Sequence, residues 1–356
     1  MNSFQPNCHA VLIGSLPVDN HQKAADMVFL HTPKIPLWVQ LPTFWQERMM
    51  LQFLPGMPGL VMDPETVYVD AAKDDFEERM LSFYEQFVAV SEGETDIDDS
   101  SFGLTPEIAN GFFVFMERLK DTTRSPAAVK GQITGPVTIT TGINDNQGRA
   151  IFYDDQLRDM AVKLLALKAR WQARKLSAFG VPAILFLDEP GLAGFGSSAF
   201  ISITREEILQ CFEEVIGAIH SEGALAGIHV CANSDWSVVL DSPTDIISFD
   251  SYSYFDNFIL YGKDVKSFFD QGKILACGIV PTMSPEDIQR ETKETLRAKW
   301  EEQAKKMEAL GIDQQRLMAQ SLITPACGTG SLSFENAVKV LQLTSGLSED
   351  LRSGIV

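Results

Sequence analysis

Short apolar runs, each closed by glycine, proline or a polar side chain, recur along the chain with longer amphipathic stretches between them. Eight are found, at residues 11–17, 35–42, 128–136, 183–190, 227–233, 245–252, 274–282 and 317–330. Their hydrophobicity is near-continuous rather than alternating, as expected of strands buried on both faces of a parallel sheet. Between them, residues 155–179 place Leu157, Met160, Leu164, Leu167 and Trp171 on one stripe and stop at Gly180. Thr204-Arg-Glu-Glu207 reads as a capping box opening a helix to about His220. Ser284 and Pro285 open another that runs to Gly311, and Ser333 caps a last helix through Leu343. Such alternation implies βαβ units. Eight of them predict an α/β fold closed into a (β/α)8 TIM barrel. A doubly wound sheet would want a glycine-rich phosphate turn after an early strand, and Gly14-Ser15-Leu16-Pro17 does not supply one.

The connection between the second and third expected strands, residues 43–127, is long and carries helical patterns at 76–90 and 106–119. It reads as a helical insertion at the barrel mouth, a lid or a docking element, within a single catalytic domain spanning 1–356. Its acidic run, Glu92, Glu94, Asp96, Asp98 and Asp99, lacks the spacing of a calcium loop and reads as a solvated surface.

Composition narrows the function classes. Of 356 residues 45% are hydrophobic, enough for a large core, and the formal net charge is -19. So acidic a surface repels phosphate backbones and anionic lipids, which argues against nucleic acid or a membrane surface as partner. No uninterrupted apolar run reaches transmembrane length, and no basic segment precedes an apolar one near the start. The five scattered cysteines do not form a disulfide framework. They fit a reducing cytoplasm in which some thiols are kept for chemistry.

The candidate chemistry collects where the expected strands end, which in a barrel is the active face. The endings include Gly14-Ser15, Gln40-Leu41-Pro42, Thr134-Gly135-Pro136, Asp188-Glu189-Pro190, His229-Val230-Cys231, Asp250-Ser-Tyr252 and Pro325-Ala-Cys327-Gly328. His229 and Cys231, two apart on a strand, face the same way and can reach one metal ion. Cys327 is the natural third ligand, and a catalytic zinc takes three N or S donors and keeps one position open. A lone His-x-Cys is weak, because buried cysteines and satisfied histidines are common in cores. Its weight comes from the strand ends and the small residues Gly328 and Gly330 beside Cys327. Cys8, Cys211 and Cys277 read as packing residues, and His21, His31 and His220 as surface or packing residues. Of Asp188 and Glu189 one must face the mouth, where a carboxylate suits a substrate ammonium; the other reads equally as a member of a local ion pair.

Five of these motifs, taken in order, resemble the catalytic barrel of cobalamin-independent methionine synthase. They are Ile13-Gly-Ser15-Leu-Pro17, Lys130-Gly-Gln-Ile-Thr134-Gly-Pro136, Leu187-Asp188-Glu-Pro190, His229-Val-Cys231 and Pro325-Ala-Cys327-Gly328. The resemblance covers nearly the whole chain and corresponds to a single-barrel form. It implies zinc as cofactor, held by His229, Cys231 and Cys327, with homocysteine as the thiol. Ser15 would hold the substrate carboxylate and Asp188 its amino group. The family's fourth ligand, a Glu, has Asp250 as its counterpart, so Asp250 is a candidate ligand and catalytic group. The family's homocysteine-binding Glu after the second strand has no clear match, and Gln40 and Glu47 are the candidates. The methyl donor is left open between a methylcorrinoid, free or on a carrier protein, and methyltetrahydrofolate. Three other readings compete. Methyl transfer to another thiol, such as coenzyme M, would leave Asp188 without a task. A uroporphyrinogen decarboxylase-like lyase would need no metal and more basic residues. A zinc-stabilised binding protein would want a closed four-ligand site.

Overall fold

The computed structural model describes residues 4–122, 125–196, 200 and 202–353. Six parallel strands form one curled sheet in sequence order: Val129–Thr134, Ala183–Asp188, Leu225–Val230, Ile246–Phe249, Ile274–Val280 and Ser321–Pro325. Every residue of five of these strands is buried, which is why they carry no polar–apolar alternation. Alternate residues still go to different places. Leu185 and Leu187 join the large cluster shared with the surrounding helices, whereas Ile184 and Phe186 join Ile246, Ala276 and Leu322 in a separate, smaller core.

The first two expected strands are not ladders. Segments 11–17 and 35–42 are joined to the rest by single parallel bridges, Ala10 to Ile323, Ser15 to Gln40 and Leu37 to Lys130. Pro17, Pro36 and Pro42 lack the N–H that a continuous ladder needs. In part compensation, the buried Lys130 ammonium donates to the Ile13 carbonyl.

Other boundaries shift for local reasons. The last expected strand opens as a helix, Gln314–Ala319, before the strand proper. The expected helix from 284 to 311 is two helices, Pro285–Arg290 and Lys293–Glu308, the second with its own Thr292 cap. The final helix is longer than expected, Phe334–Ser353.

The 43–127 segment contains the helices Phe76–Ser91 and Pro106–Lys120 as expected. It also holds two short strands, Leu60–Met62 and Val67–Val69, paired with each other and with Asn144–Asp145. Helix Pro106–Lys120 presses on segment 35–42 so closely that a Cβ on Gly111 would lie 2.0 Å from the Val39 carbonyl oxygen. It also packs Phe112 against Trp171, 5.1 Å between ring centroids, on helix Asp155–Ser177. That helix is therefore covered on two sides, and even its Lys168 is buried. Among the described residues, no helix is long and apolar enough to cross a membrane.

Candidate metal and substrate site

Parallel strands in one sheet end on the same edge, so the residues that close them share one face of the molecule. His229 is the penultimate residue of strand Leu225–Val230, and Cys231 follows that strand. Cys327 follows strand Ser321–Pro325, three places away in the sheet. The curl of the sheet brings it across. One ligand atom from each of His229, Cys231 and Cys327 lies within 4.8 Å of the other two.

The donor set fits a metal ion on two further observations. His229 is buried, its Nδ1 is 3.0 Å from Ser248 Oγ, and its Nε2 has no hydrogen-bond partner. A ring held at one nitrogen with the other orphaned is the usual arrangement of a metal-ligating histidine. The two thiols are both free, neither being in a disulfide. The hydrogen bond from Cys327 and the neighbouring His229 hold Cys231 well below the ordinary thiol range, against the opposing effect of burial. The same bond, with burial, pushes Cys327 up. One thiolate is thus favoured before any metal arrives, and an N, S, S set leaves a fourth position open.

Beside these groups lies a cavity of about 420 Å³, lined among others by Ser15, Gln40, Glu47, Asp188, His229, Cys231 and Cys327. Asp188 closes strand Ala183–Asp188; it is 9% exposed and its Oδ1 has no partner. Burial raises its pKa to about 6, while His229 and Lys130 oppose the shift. Ser15 accepts from Gly330 N at 3.1 Å, and its carbonyl accepts from Thr329 N at 3.0 Å. The loop after Cys327 therefore wraps around Ser15, and a Cβ on Gly328 would come 2.3 Å from Ser15 Oγ. Gln40 donates to Gln52 Oε1 at 2.6 Å. Glu47 Oε2 accepts from Leu41 N at 2.8 Å, and Oε1 is 2.7 Å from His21 Nε2. His21 is thus neither a bare surface residue nor simple packing: it anchors a carboxylate that lines the cavity.

Asp250 is placed differently. Its Oδ1 accepts from Ser253 N at 2.9 Å, capping helix Ser251–Phe258, and it lies outside both the three-ligand group and the cavity lining. Burial raises its pKa. Asp at the start of a helix is a common cap, and one of the two carboxylate oxygens makes it.

Three participants escaped the sequence reading. Ser248 is in register with His229 on the adjacent strand, so pairing those two strands would have found it. Lys130, fully buried, lies with its Nζ 4.4 Å from the Phe186 ring centroid and has a pKa lowered to about 8 by burial, against the pull of Asp188. Its signal was a lysine inside an apolar run. Arg48, which also lines the cavity, left no signal in a polar loop. Cys8, Cys211 and Cys277 are buried as expected, and burial raises the pKa of Cys211 and Cys277 to about 12.

No protein-family model and no curated protein matches the chain. Among solved structures it is similar to a B12-independent methionine synthase from Shewanella sp. W3-18-1, solved in complex with selenomethionine. The TM-score is 0.47 and the identity 18%, over 68% of this chain and 67% of that one. A likeness of that size does not carry a function, which has to come from the site itself.

Proposed function

We propose that the chain is a zinc-dependent methyltransferase acting on a substrate thiol, homocysteine, to give methionine. The observation that carries the proposal is the orphaned His229 Nε2 beside two free cysteines, next to a cavity that Asp188 lines. His229, Cys231 and Cys327 would hold the ion. Zinc, when bound, stabilises a thiolate and so makes a thiol nucleophilic at neutral pH. Asp188 accepts from the substrate ammonium, the one group in homocysteine that needs a buried carboxylate. Ser15 Oγ, already accepting from Gly330 N, has its own proton free to donate to the substrate carboxylate. Gln40 and Glu47, both tied to the protein by hydrogen bonds, also line the cavity. The thiol proton would leave to solvent, and sulfur would bond the methyl carbon as the donor's Co–C or N–C bond breaks, the bonding pair leaving with cobalt or with the folate nitrogen, which takes up a proton.

The donor, a methylcorrinoid or methyltetrahydrofolate, enters past the 43–127 insertion, whose Glu47, Arg48 and Met49 line the cavity. We read that segment as a lid or docking element. We also read the bridges of segments 11–17 and 35–42 as completing a (β/α)8 barrel, because they link the last strand of the sheet to the first. An unpartnered Asp188 favours an amino-bearing thiol over coenzyme M.

The test is zinc-edge X-ray absorption on the purified protein with and without homocysteine. We expect about one zinc per chain and one additional sulfur neighbour on adding the thiol. Absence of zinc, or a first shell indifferent to homocysteine, refutes the proposal.

A further inference from the structure

Glu189 was expected either to face the mouth in place of Asp188 or to form an ion pair with a neighbouring loop. It does neither. It is fully buried, and no cation meets it. Its Oε1 accepts from Val137 N at 2.9 Å, and its Oε2 accepts from Thr138 N at 2.8 Å and Thr138 Oγ1 at 2.6 Å. These donors are the first turn of helix Pro136–Gly142, whose free N–H groups suit a carboxylate. Thr138 Oγ1 in turn accepts from Gly191 N at 2.9 Å. The space is made for the purpose: a Cβ on Gly135 would lie 2.2 Å from the Glu189 carboxylate, and one on Gly191 would lie 2.9 Å from Thr138 Cα.

Asp188 Oδ1, by contrast, has no hydrogen-bond partner, although Lys130 and His229 lie near enough to act on its charge. Its direction comes from the backbone around it. Gly135 N donates to the Asp188 carbonyl at 2.9 Å, and Glu189 N donates to the His229 carbonyl at 2.8 Å. Adjacent residues of an extended chain point to opposite faces. Fixing Glu189 outward on the helix therefore fixes Asp188 inward.

We propose that Glu189 is a positioning residue: a buried carboxylate clamp that joins three neighbouring strand ends and aims Asp188 at the ammonium group of an amino-thiol substrate. This rests on the thiol-binding reading of the cavity. The clamp sets the entropy of recognition, because a carboxylate already held in direction loses less freedom on binding. Glutamine at the same place keeps the shape but sets an amide NH2 donor against a helix N–H donor, so the aim loosens without a hole being made.

The experiment compares two thiols on the zinc-loaded protein by calorimetry: homocysteine and 4-mercaptobutanoate, which lacks only the amino group. Glu189→Gln should weaken homocysteine about tenfold and leave 4-mercaptobutanoate within about twofold, with zinc content unchanged. Thr138→Val, which removes one donor to the clamp, should show the same split at smaller size and stands in if Glu189→Gln does not fold. Equal weakening of both thiols, or of neither, overturns the proposal. If the wild type binds neither thiol, the methyltransferase reading fails by itself. The clamp is then judged by crystal structures of the wild type and Glu189→Gln, where an Asp188 carboxylate unmoved by the substitution overturns it.

Discussion

Replacing Ser248 with Ala tests the metal site without touching a ligand. Ser248 Oγ is the partner of His229 Nδ1, at 3.0 Å, and both residues are buried. For Nε2 to offer a lone pair to zinc, the ring proton must sit on Nδ1 and be donated to Ser248. Alanine removes that acceptor and leaves a buried N–H unsatisfied, at a cost of about 1–3 kcal/mol. The ring then gains by moving its proton to Nε2 or by turning, and either competes with the metal. Loss of such an outer partner typically lowers metal affinity about 10–100-fold, which is about 1.4–2.8 kcal/mol, so the two estimates agree. The assay is competition for zinc against a chromophoric chelator at neutral pH. Ser248→Ala should bind about thirtyfold more weakly, and Ser248→Thr, which keeps the hydroxyl, should recover most of the loss. The metal-free melting temperature should fall only by the few degrees that a cost of this size implies. Zinc affinity within about twofold of wild type in the alanine variant, or equal loss in the threonine one, would refute the assignment of His229 as an Nε2 ligand.

The remaining predictions concern burial and space. Lys168 is buried and burial alone lowers its pKa from 10.5 to about 8. Its charge at pH 7 therefore costs about 3 kcal/mol, and Lys168→Met should raise stability to urea by roughly that amount. Because the folded pKa is depressed, the unfolded chain binds more protons between about 8 and 10.5, so wild-type stability rises across that window and the advantage of Met should shrink by about 2 kcal/mol from pH 7 to 9.5. A Met advantage independent of pH would show that the ammonium is not buried charged. Gly135→Ala should destabilise by about 1–3 kcal/mol, since its Cβ would meet the Glu189 carboxylate at 2.2 Å; a melting temperature equal to wild type would contradict the tight clamp.

Much of this architecture was legible in the chain. Six of the eight apolar runs are strands of one parallel sheet, because continuous burial on both faces leaves a continuous apolar run. Segments 11–17 and 35–42 show the same apolar pattern yet form only bridges, because pattern reports burial and not ladder hydrogen bonds, and their prolines remove donors. The small sheet at Leu60–Met62, Val67–Val69 and Asn144–Asp145 was not legible: three strands of two or three residues are too short to show a period.

In the site, the candidates that the sequence singles out are those whose chemistry is unusual where they stand, namely a His and two Cys at strand ends and an acid after an apolar run. The roles of others depend on a partner that the sequence does not show. Asp250 has the residue type of a ligand, and one of its oxygens accepts from Ser253 N. His21 looked like an ordinary helix residue, yet it holds Glu47 at the cavity. Glu189 stands beside Asp188 in the same motif, and the two differ only in which face of the strand each leaves. A motif therefore fixes which groups are available, while hydrogen bonding decides which of them stay free to act. By that criterion the groups free to act are His229 Nε2 and Asp188 Oδ1, the buried side-chain atoms of the cavity-lining residues that are left without a partner.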